Sequence, residues 1–266
     1  MFAHPELKEQ KRIVEFLDRT TTDTDRAIAQ KQRLIELLQE QKAILINQAV
    51  TKGLNPNVPM RYSGIAWIGE IPKHWEVWRS KCLFSQRKEF AQADDIQLSA
   101  TQAYGVIPQE EYEDRVGRKV TKIFQNLEKR RHVEVGDFVI SMRSFEGGLE
   151  RAWAKGCIRS SYVVLKPSAQ INIDFFSYVF KSQAYISALQ STANFIRDGQ
   201  DLNFDNFCVV DLTLPPIEEQ RAIAQILDTA TADNAKIAEQ TQKEINLLRE
   251  FRQIVVANVV TGKIKV

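Results

Sequence analysis

Two stretches in the middle of the chain carry side chains suited to reading the edges of base pairs. "SMRSFEGGLER" offers Arg143, Ser144 and Glu146 beside Gly147 and Gly148, and "GCIRSSY" offers Arg159, Ser160 and Ser161. Arginine pairs with guanine, Asn or Gln with adenine and a carboxylate with cytosine when a tight loop or helix end presents them in the major groove. "FIRDGQDLNFDNF" brings Arg197, Gln200, Asp201 and Asn203 around a turn and is a second candidate for the same task. Ser160 and Arg197 equally suit phosphate oxygens, as do two basic clusters: Arg118, Lys119 and Lys122 in "VGRKVTK", and Lys129, Arg130 and Arg131 in "LEKRRH". Each stretch also has a plainer reading, a Gly-Gly hairpin turn or a solvated charged surface.

Groups that would make or break bonds are missing from the pattern. There is no Asn/Asp-Pro-Pro-Tyr/Phe motif to hold an extruded base and no Gly-x-Gly loop for a methyl-donor cofactor. The Glu-x-Lys half of a nuclease signature occurs only as "ELK" and "EQK", on segments that read as solvated helix faces. His4, His74 and His132 stand isolated in the sequence, without metal-ligand spacing or a nearby nucleophile. Cys82, Cys157 and Cys208 are odd in number and far apart, which excludes a disulfide framework and a metal knuckle. None of these patterns is a site for making or breaking bonds.

The elements that must position these residues are announced by a repeat. "HPELKEQKRIVEFLD" near the N-terminus matches "LPPIEEQRAIAQILD" near the C-terminus, and an ungapped offset of about 210 residues runs from Pro5/Pro215 to Leu54/Ile264. Identities fall along its whole length, among them Gln10/Gln220, Leu17/Leu227, Ile35/Ile245, Leu38/Leu248 and Thr51/Thr261. In each copy a proline sets a first helical turn. Thr20, Thr21, Thr22 and Asp23 then supply N-cap chemistry, which predicts a short helix, a break and a second helix. Ile28, Ile35, Leu38 and Leu45 in one copy, and Ile237, Ile245, Leu248, Val255 and Val259 in the other, fall at coiled-coil spacing. Each strand would span about 40 Å at roughly 1.5 Å per residue. Lys, Arg and Gln interrupt both seams, so each needs a partner. The self-complementary solution is an antiparallel pair about a pseudo-two-fold axis.

Between the repeats, "PNVPMRYSGIAWIGEIPKHWEVWRSK" is too rich in Pro and Gly for long regular structure, but Trp67, Ile71 and Trp75 can fasten it to a surface. "VEVGDFVISMRS" and "GCIRSSYVVLKP" read as strands and "IDFFSYVFKSQAYISALQ" as helix. The fold class is therefore α+β, a mixed α/β domain carried on a long antiparallel two-helix coiled coil. The boundaries fall at 1–54 (helical arm), 55–74 (docking linker), 75–214 (recognition domain) and 215–266 (second arm). With 266 residues, 44% of them hydrophobic, and a formal charge of +2, the chain is globular and any anion site must be a local patch. No stretch has the roughly 18 uncharged apolar residues of a membrane helix, and "MFAHPELKEQ" lacks a secretory pattern, which places the protein in the cytoplasm.

"WIGEIPKHWEVWRSK", "GDFVISMRSFEGGLERAWAKGCIRSSYVVLKP", "LTLPPIEEQRAIAQILD" and "VVTGKIKV" look like successive landmarks of the specificity (S) subunit of Type I restriction-modification systems. The resemblance covers essentially all the chain, as one target recognition domain between two helical conserved regions, where the usual subunit has two recognition domains. It implies a non-catalytic DNA-binding subunit that positions methyltransferase (M) and restriction (R) subunits on a bipartite site in double-stranded DNA. It also implies that S-adenosylmethionine sits on the methyltransferase and not on this chain. A half-subunit of this form could act as a homodimer. The residues alone leave a second reading open, a coiled-coil scaffold whose middle domain binds another protein.

Overall fold

The structure, a computed structural model, describes residues 5–120, 127–192 and 202–266. Lys122, Arg197, Gln200 and Asp201 lie outside the described residues. The chain forms two compact units: Met1–Lys42 with Asp228–Val266, and Ala43–Leu227. The long terminal helices, α1 (Leu7–Lys52) and α8 (Ile217–Val260), contribute to both and pack together, so the α+β architecture with paired N- and C-terminal helices holds.

The first unit is a helix pair. Lys31 pairs with Glu244, and Asp25 with Arg252 at 2.9 Å, so numbering descends along one helix as it ascends along the other and the pair is antiparallel. The seam contains Ile28, Ile245, Val255 and Val259, all buried, with Ile35, Leu38 and Leu248 half-buried. Ile237 is instead 42% exposed, and Thr241, one turn on, fills the seam at 5%.

No break interrupts either helix, contrary to the expectation from Thr20–Asp23. Thr21 Oγ1 donates to the Leu17 carbonyl and Thr24 Oγ1 to the Thr20 carbonyl, both at 2.7 Å, and Thr241 repeats the bond to Ile237. A hydroxyl satisfied by the preceding turn leaves only the threonine methyl to face the partner helix, so these residues stay helical. The helices run 46 and 44 residues, roughly 69 and 66 Å at ~1.5 Å per residue, well beyond the 40 Å expected from the shorter strand.

The repeat is visible in hydrogen bonds as well as letters. Gln10 Nε2 donates to the Pro5 carbonyl at 2.8 Å, and Gln220 Nε2 to the Pro215 carbonyl at 2.9 Å. At the far ends Thr51 and Thr261 each back-bond to the carbonyl four residues earlier. A left-handed glycine then stops each helix, Gly53 (φ 74°) and Gly262 (φ 75°), although the order Lys-Gly in one copy is Gly-Lys in the other.

The second unit begins with the antiparallel pair β1 (Met60–Tyr62) and β2 (Glu70–Pro72), then β3 (Glu76–Arg79), α2 (Ser80–Leu83) and β4 (Phe84–Arg87). A hairpin follows, β5 (Leu98–Thr101) and β6 (Gly105–Pro108), leading into α3 (Gln109–Val116). Next come β7 (Arg131–Val133), β8 (Phe138–Ile140), α4 (Ser144–Gly147), β9 (Glu150–Arg151), β10 (Gly156–Ile158) and β11 (Val163–Pro167). Helices α5 (Ile173–Lys181), α6 (Gln183–Ser191) and α7 (Phe204–Val209) precede β12 (Asp211–Leu214), which returns to pair with β3 just before α8. The largest sheet is antiparallel, in the order β4-β11-β8-β9, and β10 pairs with β7.

Two hydrophobic clusters hold this unit. In the larger one Phe84, Phe138, Phe176, Phe180 and Phe207 meet edge-on or tilted at 4.9–6.0 Å between ring centres. Such aromatic pairs contribute about 0.5–1.5 kcal/mol each beyond the area they bury. Ile71 and Trp75 are buried in this cluster with Ala49 and Val50 of α1 and with Ile223, Ala224 and Leu227 of α8, while Trp67 packs edge-on against Tyr185. The predicted helix over 173–190 is split in two, because Ser182 turns extended and accepts from the Tyr185 amide as N-cap of α6. The smaller cluster, Leu98, Val106, Val133, Val139, Ala152, Ile158 and Val164, lies beneath the strands that carry the predicted recognition residues.

Candidate nucleic-acid interface

Those strands frame a groove of about 640 Å³. One wall is the β5–β6 hairpin, with Thr101, Gln102 and Tyr104 at its tip. Helix α3 adds Tyr112 and then ends at Gly117, whose left-handed backbone (φ 70°) carries the chain on to Arg118. Arg143 enters from the turn after β8, and Arg159 and Tyr162 from the turn between β10 and β11. Four predicted residues from four separate stretches, Arg118, Arg130, Arg143 and Arg159, therefore line one concavity.

Their electrostatic states differ. Arg118, Arg143 and Arg159 are exposed and, among the described residues, form no salt bridge, so their charge is available to an anion. Arg130 is only 7% exposed, and burial pushes the pKa of the Cys157 thiol up against the pull of the Arg130 guanidinium. A buried guanidinium of this kind shapes the floor more than it meets a ligand.

The remaining predicted residues fall elsewhere. Ser144 is fully buried, and its Oγ accepts from the Ser141 amide at 2.9 Å, so it builds the turn that presents Arg143 and offers nothing to a base. Glu146 is exposed on α4. The adjoining glycines are required by close protein packing. A Cβ on Gly148 (φ +74°) would lie 1.9 Å from the Phe180 carbonyl oxygen, and one on Gly147 would lie 2.5 Å from Gln102 Nε2. Asn203 spends its side chain as N-cap of α7, accepting from Asp205 and Asn206 amides. Arg131 stacks 4.9 Å over the Phe90 ring and donates to the Lys88 carbonyl. Lys119, Lys129 and Ser160 are exposed and outside the groove lining. Gln102 and Tyr104 were not anticipated from the sequence. Gln102 Nε2 donates to the Arg143 carbonyl at 3.1 Å and so joins the two sides.

Ion pairs brace the scaffold behind the groove. Arg87 binds Asp137 through two hydrogen bonds, 2.6 and 3.1 Å, tying β4 to the turn before β8, although burial still holds the Asp137 carboxyl above its usual pKa. Lys181 reaches Glu150 at 2.6 Å and the Gly147 carbonyl at 2.9 Å. His132, isolated in the sequence, is held between two carboxylates, with Nδ1 2.7 Å from Asp95 and Nε2 2.9 Å from Glu134. Burial opposes its protonation, but the hydrogen bonds to both acids prevail and raise its pKa. His74 likewise meets Glu219 at 2.7 Å. Among the described residues no cluster of His, Cys, Asp and Glu is placed to hold a metal ion, and no helix is long and apolar enough to cross a membrane.

Comparison with known proteins gives this arrangement its context. The chain is 24% identical over 269 aligned positions to a putative type I restriction enzyme MjaX specificity subunit of Methanocaldococcus jannaschii, covering 98% of this chain and 59% of that protein. It is 33% identical over 104 positions to the EcoKI specificity subunit of Escherichia coli, covering 38% of this chain and 22% of that one. Among solved structures it superposes on the HsdS subunit of Thermoanaerobacter tengcongensis with a TM-score of 0.54 at 15% identity, over 98% of this chain and 60% of the other. A chain from a structure describing complex assembly and conformational transition of the type I R-M system gives 0.65 at 18% identity, with 98% and 61% covered. The chain thus spans about three fifths of the length of the relatives that it matches end to end. Residues 72–247 match the Type I restriction modification DNA specificity domain, and with well over half of its length inside that match the chain belongs to this family.

Proposed function

We propose that the chain is a sequence-reading module of a Type I restriction-modification complex, non-catalytic itself and working in the cytoplasm on double-stranded DNA. The observation that carries this reading is the groove in which Arg118, Arg143 and Arg159 converge without a salt bridge to any of the described residues, inside the matched domain. Arg143, on a turn tied to the hairpin through Gln102, is the base reader of the set. Arg118 and Arg159 hold phosphates, with Lys119 and Lys129 adding nonspecific attraction.

The arms act as spacer and as docking surface. Helices of roughly 66–69 Å approach two DNA turns of roughly 34–36 Å each, which suits a bipartite site with an unread gap. On α8, Leu247, Phe251 and Ile254 are 64%, 51% and 50% exposed on one helical face, an apolar stripe suited to a methyltransferase subunit, which would bring the S-adenosylmethionine. A restriction subunit would join that assembly. A second recognition domain, from a homodimer partner or a longer chain, has a place in the repeat. Gln220 is 1% exposed and holds the Asn172 amide and the Gln170 carbonyl, whereas its counterpart Gln10 is exposed.

Fluorescence anisotropy of the full chain with a random-sequence duplex, alone and with the methyltransferase subunit, tests the reading. Binding at low salt that weakens steeply as salt rises is expected. Absence of duplex binding in both samples would favour the protein-binding scaffold instead.

A further inference from the structure

The hairpin tip that walls the groove is also the rim of a second cleft, of about 620 Å³, on its other side: Gln102, Ala103 and Tyr104 line both. The two differ in kind. In the second cleft every cation is matched. Arg115 pairs with Glu111 at 2.6 Å, Lys181 with Glu150 at 2.6 Å, and Arg151 with Asp174. A phosphate therefore gains little there. The cleft offers aromatic surface instead: Trp153 is 55% exposed and Tyr104 37%, and each already carries a guanidinium on one face, Arg151 at 4.0 Å and Arg115 at 4.8 Å from the ring centres.

The rings are built into place and are not loose surface residues. The Trp153 amide donates to the Val106 carbonyl at 2.9 Å, which fixes the tryptophan against β6. Gly105, at φ +73°, lets the hairpin press against it, since a Cβ there would stand 2.7 Å from the Arg151 carbonyl oxygen and 2.8 Å from Trp153 Nε1. Gln102, Glu111 and Ser177 add polar atoms to the lining, although the Ser177 hydroxyl already donates to the Ile173 carbonyl at 2.8 Å.

We infer that this cleft receives one extrahelical nucleobase of the DNA whose backbone lies in the adjoining arginine groove. The division of labour follows from charge: unpaired guanidiniums on one side of the hairpin meet phosphates, and a neutral aromatic cleft on the other stacks an uncharged base. The inference rests on the DNA-reading proposal and extends it from edge reading in the groove to capture of a displaced base. Extruding a base from a paired duplex costs unstacking energy, whereas a single-nucleotide bulge has already paid it.

The test compares the full chain binding a fully paired duplex with the same duplex carrying a one-nucleotide bulge of 2-aminopurine. The bulged duplex should bind roughly fivefold or more tighter, the range of a single base–aromatic stack, and its fluorescence should be quenched on binding. Trp153 is the exposed one of the chain's four tryptophans. Trp153→Ala should abolish the preference and the quenching, and Trp153→Phe should retain part of both. Equal affinity for the two duplexes, or a preference that survives in Trp153→Ala, would overturn the cleft's role and leave the groove intact. Failure of either duplex to bind at low salt would overturn the DNA reading and the cleft together.

Discussion

Gly148 links the turn that presents Arg143 to the aromatic core, and its replacement by alanine should be among the most costly single changes in the protein. The residue sits at φ 74°, ψ −171°, a region essentially reserved for glycine, where a side chain costs about 1–3 kcal/mol. The added Cβ would also stand 1.9 Å from the Phe180 carbonyl oxygen, so the end of α5 would have to withdraw by roughly an ångström. Phe180 cannot yield easily. It is fully buried, with ring centres 4.9 Å from Phe138 and 5.3 Å from Phe84, and overpacking of that kind adds about 1–3 kcal/mol. Together the two effects predict a loss of about 4 kcal/mol. Urea unfolding followed by near-ultraviolet circular dichroism measures it, with Gly64→Ala as control: Gly64 has φ +81° but nothing within 4 Å of its Cβ position, so only about 1–2 kcal/mol of backbone strain is expected. A Gly148→Ala variant that loses no more stability than the control would refute the packing argument.

Two further outcomes follow from the same geometry. Neutral imidazole has one N–H, so with a carboxylate on each nitrogen His132 is best satisfied when protonated; its pKa lies above the usual 6.5 and that of Glu134 below the usual 4.5. The histidine's contribution is complete below about 6.5 and fades as pH rises through its raised value, whereas the glutamate's is complete above about 4.5 and fades as pH falls. The stability advantage of the native chain over His132→Gln should therefore be larger at pH 6 than at pH 9; equal advantages in denaturation at the two pH values would count against the protonated sandwich. In selection from random duplexes, Arg143→Ala should lose discrimination at one base pair by about 1–3 kcal/mol, while Lys129→Ala should weaken all sequences alike. An unchanged base preference in the first variant would remove the Arg143 turn from the reading surface.

The arms were the most legible part of the chain because the repeat constrains seam and cap together: Ile35/Ile245 and Leu38/Leu248 lie along the pair, and Gln10/Gln220 make the same bond in both copies. Thr20–Asp23 misled because a threonine hydroxyl can cap a helix or bond back into it, and the sequence does not say which. The arginines of the groove were legible by residue type. Their convergence was not, since Arg118, Arg143 and Arg159 come from separate loops and the opposing wall is a two-stranded hairpin whose Gln102 and Tyr104 gave no motif. Gly147 and Gly148 read as ligand contacts because the sequence does not show that the neighbours demanding space are Gln102 of the hairpin and Phe180 of α5. His132 appeared alone because Asp95 reaches it from 37 residues away.

The central claim, that unpaired guanidiniums in the groove neutralise duplex phosphates, is most directly tested by the salt dependence of binding. The logarithm of the binding constant for one duplex should be measured against the logarithm of salt for the native chain and for Arg118→Ala/Arg159→Ala. Each phosphate contact contributes about 0.9 to the slope, so the double variant should be shallower by about 2. Identical slopes for the two proteins, with both still binding, would contradict the account.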